Sequence, residues 1–313
     1  MLRTILRRLV SVPAVLIAVS VLTFLLMSAL PGGPVIAILG TGATPENIAA
    51  LTERLGLDKP LPVRYLDWLF GALRGDLGVS LSSSTPVSKL ILQRLPVTLE
   101  LMLLSQVLAL GVAVPLAIIT AWRARRPFDR VVSALSFTAL ATPPFVVAVV
   151  LIVLFAVTIP LFPATGYVPI DKGLGPNLRS ITLPAIALAL GPCAVYTRLL
   201  RTELIGTLGQ DFVTVAAAKG LNPRYVLMRH ALRPSLFPLI TTAGITIGSL
   251  ISGAVLIESI FGLPGIGTLL VNAIYSRDYV LIQGVVLVVT VAFVLINTLV
   301  DLLYVVLDPR LRS

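Results

Sequence analysis

Gly209–Pro238, GQDFVTVAAAKGLNPRYVLMRHALRPSLFP, is a polar, basic island in an otherwise strongly apolar chain. Its punctuation can be read residue by residue. Asp211 is placed to cap a short helix, Phe212–Lys219, by accepting a bond from a free backbone N–H. Gly220 stands where that helix must stop, because glycine takes the left-handed conformation without steric cost. Asn222-Pro223 opens a second helix, with asparagine as N-cap and proline at the first helical position, where its missing N–H costs nothing. Pro234 and Pro238 disturb any continuation of the second helix. The expectation is two short helices joined at Gly220, set between two apolar segments.

Working outward, composition fixes the class. The chain has 313 residues, 57% hydrophobic and 12% charged, where a soluble domain carries about 25% charged residues. This is an integral membrane protein. Its net charge of +10 fits the positive-inside bias of membrane proteins, not nucleic-acid binding. A single cysteine, Cys193, excludes an intramolecular disulfide and a multi-cysteine metal site, and a lone His230 excludes a paired-histidine site. No phosphate-cradling loop ending in Lys-Ser/Thr is present, so the chain has no ATPase signature of its own. His230 reads as a surface residue, Glu203 and Asp211 as a solvated face, and Ser82–Ser84 as a polar loop without a partnered histidine. None forms a catalytic constellation.

Six apolar runs are expected to span the membrane: about 9–30, 98–121, 131–161, 181–199, 236–257 and 281–306. The first follows Arg3, Arg7 and Arg8 and is too long for the apolar core of a signal peptide, so it reads as a retained helix. Residues 31–97 are not membrane-like. Pro31-Gly32-Gly33-Pro34 ends the first helix, and Ala43-Thr44-Pro45-Glu46 opens an amphipathic helix with Leu51 and Leu55. Val63–Leu73 is a further helix, with Tyr65, Trp68 and Phe70, and Gly75–Ser80 is a glycine-rich turn. Charges there nearly cancel, which suits a small extracytoplasmic subdomain. The loop 122–130 holds Arg123, Arg125, Arg126 and Arg130 against Asp129, and the island holds Lys219, Arg224, Arg229 and Arg233 against Asp211. With six spans, these loops and both termini fall on one basic side, so the topology is N-in, C-in. The domains are then 1–30 (first transmembrane helix), 31–97 (extracytoplasmic subdomain), 98–308 (five-helix core with a cytoplasmic loop at 203–235) and a tail, 309–313.

Charges are few in the spans. Glu100, Arg198, Glu258 and Asp301 lie near span ends, where anchoring or capping is the ordinary role. Thr142-Pro143-Pro144 and Gly191-Pro192 fall inside spans and free backbone carbonyls, through kinks facing a pathway or through plain packing kinks. The glycines around Pro264, in Phe261-Gly262-Leu263-Pro264-Gly265-Ile266-Gly267, make a tight outer turn.

Asp211–Leu221 followed by Arg229–Pro234 resembles the EAA-type cytoplasmic loop of ATP-binding-cassette importer permeases, most closely the B-type subunit of the dipeptide/oligopeptide family. Gly75-Asp76-Leu77-Gly78-Val79-Ser80, Arg94–Leu101, Glu258–Phe261 with Pro264–Gly267, Arg277-Asp278-Tyr279 with Ile282-Gln283-Gly284, and Asp308-Pro309-Arg310 also fit, so the resemblance covers nearly the whole chain. Two stretches depart from the pattern. Thr214-Val215-Ala216 replaces the acidic-alanine-alanine start, and Gly33 stands where an aspartate is usual.

The resemblance implies an all-α type I importer fold and a permease without catalysis of its own, resident in a prokaryotic cell membrane. Its implied partners are a second related permease as a heterodimer, two ATPase subunits that hold ATP and Mg, an extracytoplasmic solute-binding protein and membrane lipid, with no nucleic acid and no cofactor bound by this chain. It implies that Asp211, Phe212, Val215, Ala216, Ala217, Ala218, Lys219 and Gly220 couple to an ATPase. Glu258, Phe261, Pro264, Gly265 and Gly267 become extracytoplasmic or gate candidates. Dipeptides, oligopeptides, glutathione, nickel chelates and haem are substrates of such systems, and no substrate-lining residue is assigned. The competing reading is an ion-coupled carrier or channel, which should carry carboxylates deep in its spans. An intramembrane enzyme would need a catalytic set.

Overall fold

The computed structural model describes residues 2–29, 35, 44–54 and 58–307, without the side chains of 2–11, 27, 29, 50, 51, 54, 217 and 301–307. The expected turn at Pro31–Pro34, Leu55 and the tail 309–313 lie outside these residues, as do the side chains of Ala217 and Asp301. Among the described residues the secondary structure is helical, apart from one isolated antiparallel bridge between Val79 and Pro86.

The chain divides into two compact units, residues 1–97 with 264–295 and residues 98–263 with 296–313. In the first unit, α1 (Leu2–Ala29), α2 (Pro45–Arg54) and α3 (Leu61–Leu73) are followed by the start of α4 (Val87–Trp122). α11 (Ile266–Tyr275) and the first part of α12 (Tyr279–Leu307) complete it. Its core gathers Leu77, Val87 and Ile91 with Ile266, Leu269, Ala273, Leu281, Ile282 and Val285. The Gly75–Ser80 turn forms as expected: Asp76 Oδ1 accepts the Gly78 N–H at 2.9 Å.

The second unit contains the rest of α4, then α5 (Pro127–Ala141), α6 (Pro144–Ile152) and α7 (Leu174–Leu208). After these come α8 (Asp211–Ala218), α9 (Pro223–Tyr225) and α10 (Leu232–Phe261). α7 packs against α5, α6 and α10. The core runs along a stripe of Ala109, Ala113, Ala117 and Ala121 on α4, with Tyr196, Leu200 and Leu204 of α7 and Leu239 and Ala243 of α10. Lipid tails are as apolar as leucine, so burial alone gives little drive between spans. Small residues matter because they admit close backbone approach and dispersion contact. Gln106 Nε2 bridges Tyr196 Oη (2.9 Å) and the Ala243 carbonyl (3.2 Å), tying three helices with buried hydrogen bonds.

Four helical stretches are long and apolar enough to cross a bilayer: Val87–Trp122, Leu174–Leu208, Pro223–Phe261 and Tyr279–Val300. The expected third span, 131–161, is not straight. α5 and the helix Pro144–Thr158 meet at 104°. Thr142 and Pro143 are extended, with ψ of 120° and 141°. A proline pushes the residue before it out of the helical region, and consecutive prolines do this twice before Pro144 restarts a helix at its first position. In α1 the described apolar part, Val12–Leu26, is shorter than a full span. Of the six expected spans, the second, fourth, fifth and sixth pass as single helices by length and composition among the described residues. That makes four candidate spans, or five with the bent pair counted as one.

The spans also overrun their expected ends. α4 starts at Val87, eleven residues before Thr98 in the sequence, and α7 runs to Leu208 instead of Leu199. Thirty-five residues at about 1.5 Å each exceed the roughly 30 Å of hydrocarbon, so α7 projects beyond the membrane core. The second helix of the island does not stop at Pro234. A π turn, Val226–Ala231, carries it into α10, making one continuous stretch, Pro223–Phe261. The wider i→i+5 ladder just before Pro234 relieves the clash its ring would make with a carbonyl of the preceding turn. The turn expected after Phe261 holds more than a loop, because Ile266 opens the ten-residue apolar helix α11.

Candidate functional site

The end of α7 and the π turn Val226–Ala231 hold α8 between them. Gln210, not Asp211, occupies the cap position: its carbonyl accepts the Val213 N–H (3.0 Å) and the Thr214 N–H (3.3 Å). Asp211 is the first helical residue, where its charge favours the positive end of the helix dipole. At the other end Gly220 has φ +74°. The Leu221 N–H reaches back to the Ala216 carbonyl at 3.4 Å, the six-to-one bond of a left-handed helix stop. A Cβ on Gly220 would meet nothing within 4 Å, so the position demands a backbone conformation, not space. Asn222 caps the next helix as expected, its Oδ1 accepting the Arg224 N–H at 2.9 Å.

The two faces of α8 have different fates. Val213 and Ala216 turn inward, forming a small buried cluster with Val226 against Leu208. Phe212 is 49% and Val215 53% exposed, and Asp211, Thr214, Ala218, Lys219 and Gly220 are exposed beside them. Phe212, Val215 and Lys219 recur at helical spacing, which places them on one face. Ala216 packs into its own chain. The backbone of Ala217 lies within α8, and its side chain is outside the described set.

The helices that carry this apolar seat are joined by polar contacts. Thr207 Oγ1 and Ser235 Oγ share a 3.0 Å hydrogen bond between α7 and α10. Asp129, 3% exposed, accepts Arg201 Nε and Nη2 at 2.6 and 2.7 Å and the Arg125 N–H at 2.8 Å. No local pattern announced this pair, whose members lie 72 positions apart. Arg198, expected at an interface, is exposed, with its guanidinium 4.0 Å from the centroid of the Phe137 ring. His230 is half-buried edge-on to Tyr225, 5.6 Å between centroids.

The outer candidates are mostly interior. In the second unit Glu258 is 0% and Phe261 1% exposed. The Glu258 carboxylate accepts Thr98 Oγ1 at 2.5 Å, and its carbonyl accepts the N–H groups of Gly262 and Leu263. Gly262, at φ +62°, is the left-handed stop of α10, and the Phe261 carbonyl takes the Gly166 N–H at 2.9 Å. In the same unit Tyr167 Oη donates to Glu100 at 2.5 Å. Burial first, and then the Glu100 carboxylate, push the Tyr167 phenol well above its usual range. In the first unit Gly265 and Gly267 are buried and Pro264 is half-buried.

The sequence did not single out Asp278 as a centre. It is 0% exposed and gathers Ser80 Oγ (2.6 Å), Ser82 Oγ (2.9 Å) and the Ser82 N–H (3.1 Å) on Oδ2, with the Leu281 N–H (3.1 Å) on Oδ1. Burial pushes this carboxyl up, but the four donors together outweigh it and leave the pKa below the usual carboxylate value. The serine loop that looked chemically idle is thus the other half of a buried carboxylate site. Among the described residues no group of three or more His, Cys, Asp or Glu could hold a metal.

Residues 113–313 match the family described as binding-protein-dependent transport system inner membrane component, and residues 1–102 match its N-terminal region. A putative peptide transport system permease protein of Brucella abortus is 42% identical over 309 residues, covering 98% of each chain. The probable peptide ABC transporter permease protein of Sinorhizobium fredii is 39% identical, again with 98% of each chain covered. The dipeptide transport system permease protein DppB of Escherichia coli is 37% identical, covering 100% of this chain and 99% of its own. The crystal structure of an amino acid ABC transporter with histidines shares the fold, with a TM-score of 0.51 at 16% identity over 69% of this chain and 94% of that one. The chain belongs to the binding-protein-dependent transport system inner membrane components, and is a multi-pass ABC-transporter permease of a prokaryotic inner membrane.

Proposed function

We propose that this chain passes di- and oligopeptides from an external binding protein to the cytoplasm, by alternating access driven by ATP hydrolysis on partner subunits. The observation that carries this reading is the two-faced helix α8, which buries Val213 and Ala216 in its own chain and leaves Phe212 and Val215 exposed. An apolar pair on a short helix is what a helix-in-groove contact requires. Lys219 at the helix end adds a cation for a carboxylate on the partner. The α8 face is then the site that receives force from an ATPase subunit. Because α8 is seated on α7 and on the stretch that runs into α10, a displacement of α8 is delivered to two spans. Such a device works only if ATP binding favours one global state over the other.

The same reading takes α1 and the bent pair as spans, giving six crossings with both termini and α8 in the cytoplasm. Residues 31–97 are then extracytoplasmic, and 98–308 form the five-helix core, of the type I importer class. The partners are a second related permease, two ATPase subunits holding ATP and Mg, and a solute-binding protein, with no cofactor on this chain. Peptide as cargo follows from the relatives, whose printed names are those of peptide and dipeptide permeases. Of the outer candidates, Pro264 has surface to offer a binding protein, with Gly262 exposed nearby in sequence. Glu258, Phe261, Gly265 and Gly267 shape the turn from within.

The test is uptake of a labelled dipeptide into proteoliposomes holding the complete complex with external binding protein. Accumulation that requires ATP on the ATPase side supports the reading. Accumulation driven by a proton gradient without ATP overturns it in favour of an ion-coupled carrier.

A further inference from the structure

α3 has three faces, and one of them has no partner among the described residues. Inward, Tyr65 and Trp68 pack on Phe24 of α1, with ring centroids 5.5 and 6.3 Å away, and Tyr65 Oη shares a 2.8 Å hydrogen bond with Ser20 Oγ. A polar edge carries Asp67, ion-paired to Lys59 at 3.0 Å with both side chains exposed. The remaining face, Val63, Leu66, Phe70 and Leu73, follows i, i+3, i+7, i+10 spacing and is 43%, 47%, 57% and 75% exposed. It carries no hydrogen-bonding side chain. A row of apolar side chains this open to water is unfavourable and marks a contact surface.

We propose that this face lies in the interfacial layer of the bilayer that the spans cross, on the leaflet at the C-terminal end of α1, making α3 a membrane-surface anchor. Three observations select lipid as the occupant. First, α1, on which α3 packs through Phe24, is itself open and apolar there: Leu22, Leu25 and Leu26 are 58%, 47% and 56% exposed. Second, Tyr65 and Trp68 sit between α1 and this face, and such rings favour headgroup depth. Third, Arg64 within α3 and Arg74 at its end supply cations beside the apolar row, Lys59 being held by Asp67. Arg64 is half-buried, its guanidinium 5.8 Å from the Phe24 ring centroid, while Arg74 and Lys59 are exposed. Long cationic side chains of this kind lay their stems on apolar surface and lift their charge toward phosphates. An exchangeable soluble partner fits less well, because its departure would return the whole row to water.

The chain has two tryptophans, Trp68 and Trp122, and one cysteine. The test places a single tryptophan on the face: Phe70→Trp with Trp68→Phe and Trp122→Phe, in the complete permease reconstituted in phosphatidylglycerol-containing vesicles. Acyl chains brominated near the headgroup should quench it about twofold more strongly than aqueous iodide. Asp67→Trp in the same background should show the reverse preference. Because Trp68→Phe removes a packed ring, Phe70→Cys in Cys193→Ala, with Trp68 kept and a nitroxide attached, gives an independent depth reading. Quenching of Phe70→Trp by iodide alone overturns the proposal. Protection from both quenchers also overturns it, because protein then covers the face, whether a partner or the chain's own residues 36–43.

Discussion

Asp129 grips Arg201 through two parallel bonds, Nε to Oδ1 at 2.6 Å and Nη2 to Oδ2 at 2.7 Å, while the same carboxylate accepts the backbone N–H of Arg125 at 2.8 Å. The turn at residues 123–126 is therefore fastened to α7, two turns before α7 ends and α8 begins. Arg125 itself stands at φ +66°, a conformation a non-glycine residue holds only when its surroundings fix it.

Breaking this grip should loosen the second unit measurably. Arg201→Lys keeps the charge but loses the planar fork, and Asp129→Asn keeps the shape but loses the charge. With Asp129 3% exposed and the Arg201 side chain 26% exposed, each change should cost about 2 kcal/mol. A lowered midpoint of thermal unfolding in detergent, with faster proteolysis in the 122–130 turn, checks it. Wild-type melting in both variants would show the pair to be energetically idle.

At Gly220 the requirement is conformational, since a Cβ meets nothing within 4 Å while φ is +74°. Gly220→Asn should therefore keep transport, because asparagine tolerates the left-handed region. Gly220→Val should leave the protein inserted but abolish ATP-coupled uptake. Measured side by side, equal loss in the two variants would point to a contact at Gly220 and away from its backbone.

Asp278 sets a pH dependence in the first unit. Its folded pKa is depressed, so the stabilisation is fully present above the unfolded carboxylate value of about 3.9 and is lost as pH falls through the folded value. Stability followed between pH 7 and pH 3 should drop on the acid limb in the wild type. Asp278→Asn should have a lower plateau near neutrality and a flatter acid limb. Ser80→Ala, which removes the 2.6 Å donor, should cost about 1–2 kcal/mol at neutral pH. An unchanged acid limb in Asp278→Asn would mean that other carboxylates set it.

What could be read from the sequence, and what could not, follows the range of the interactions. Gly220, Asn222 and Pro223 were legible because each fixes the backbone within a few residues of itself, and the structure has each in that role. Pro143-Pro144 was visible as a disturbance, but its outcome, a bend of 104°, was not. A proline pair removes helical bonds without stating the angle at which the chain resumes. Pro234 misled in the opposite direction, because the π turn that absorbs it forms through neighbouring packing and not through any local signature. Asp129 with Arg201, Thr98 with Glu258 and Ser80 with Asp278 join residues 72, 160 and 198 positions apart. No spacing rule in a single chain links such pairs. The proposed docking face was half legible: Phe212 and Val215 are exposed, whereas Ala216, an equal candidate by residue size, is buried.

The account rests on α8 as the surface where an ATPase subunit engages. Phe212→Ala with Val215→Ala removes the exposed apolar pair without touching Val213 or Ala216, so the fold should persist. The direct measurement is ATP-dependent dipeptide uptake by the complete complex in proteoliposomes, made alongside retention of the ATPase subunits on the purified permease. The account predicts that uptake falls by roughly tenfold or more, for a loss of about 1.4 kcal/mol or greater in docking, with ATPase retention falling in step and permease yield unchanged. Full uptake with full ATPase retention in the double variant would contradict it.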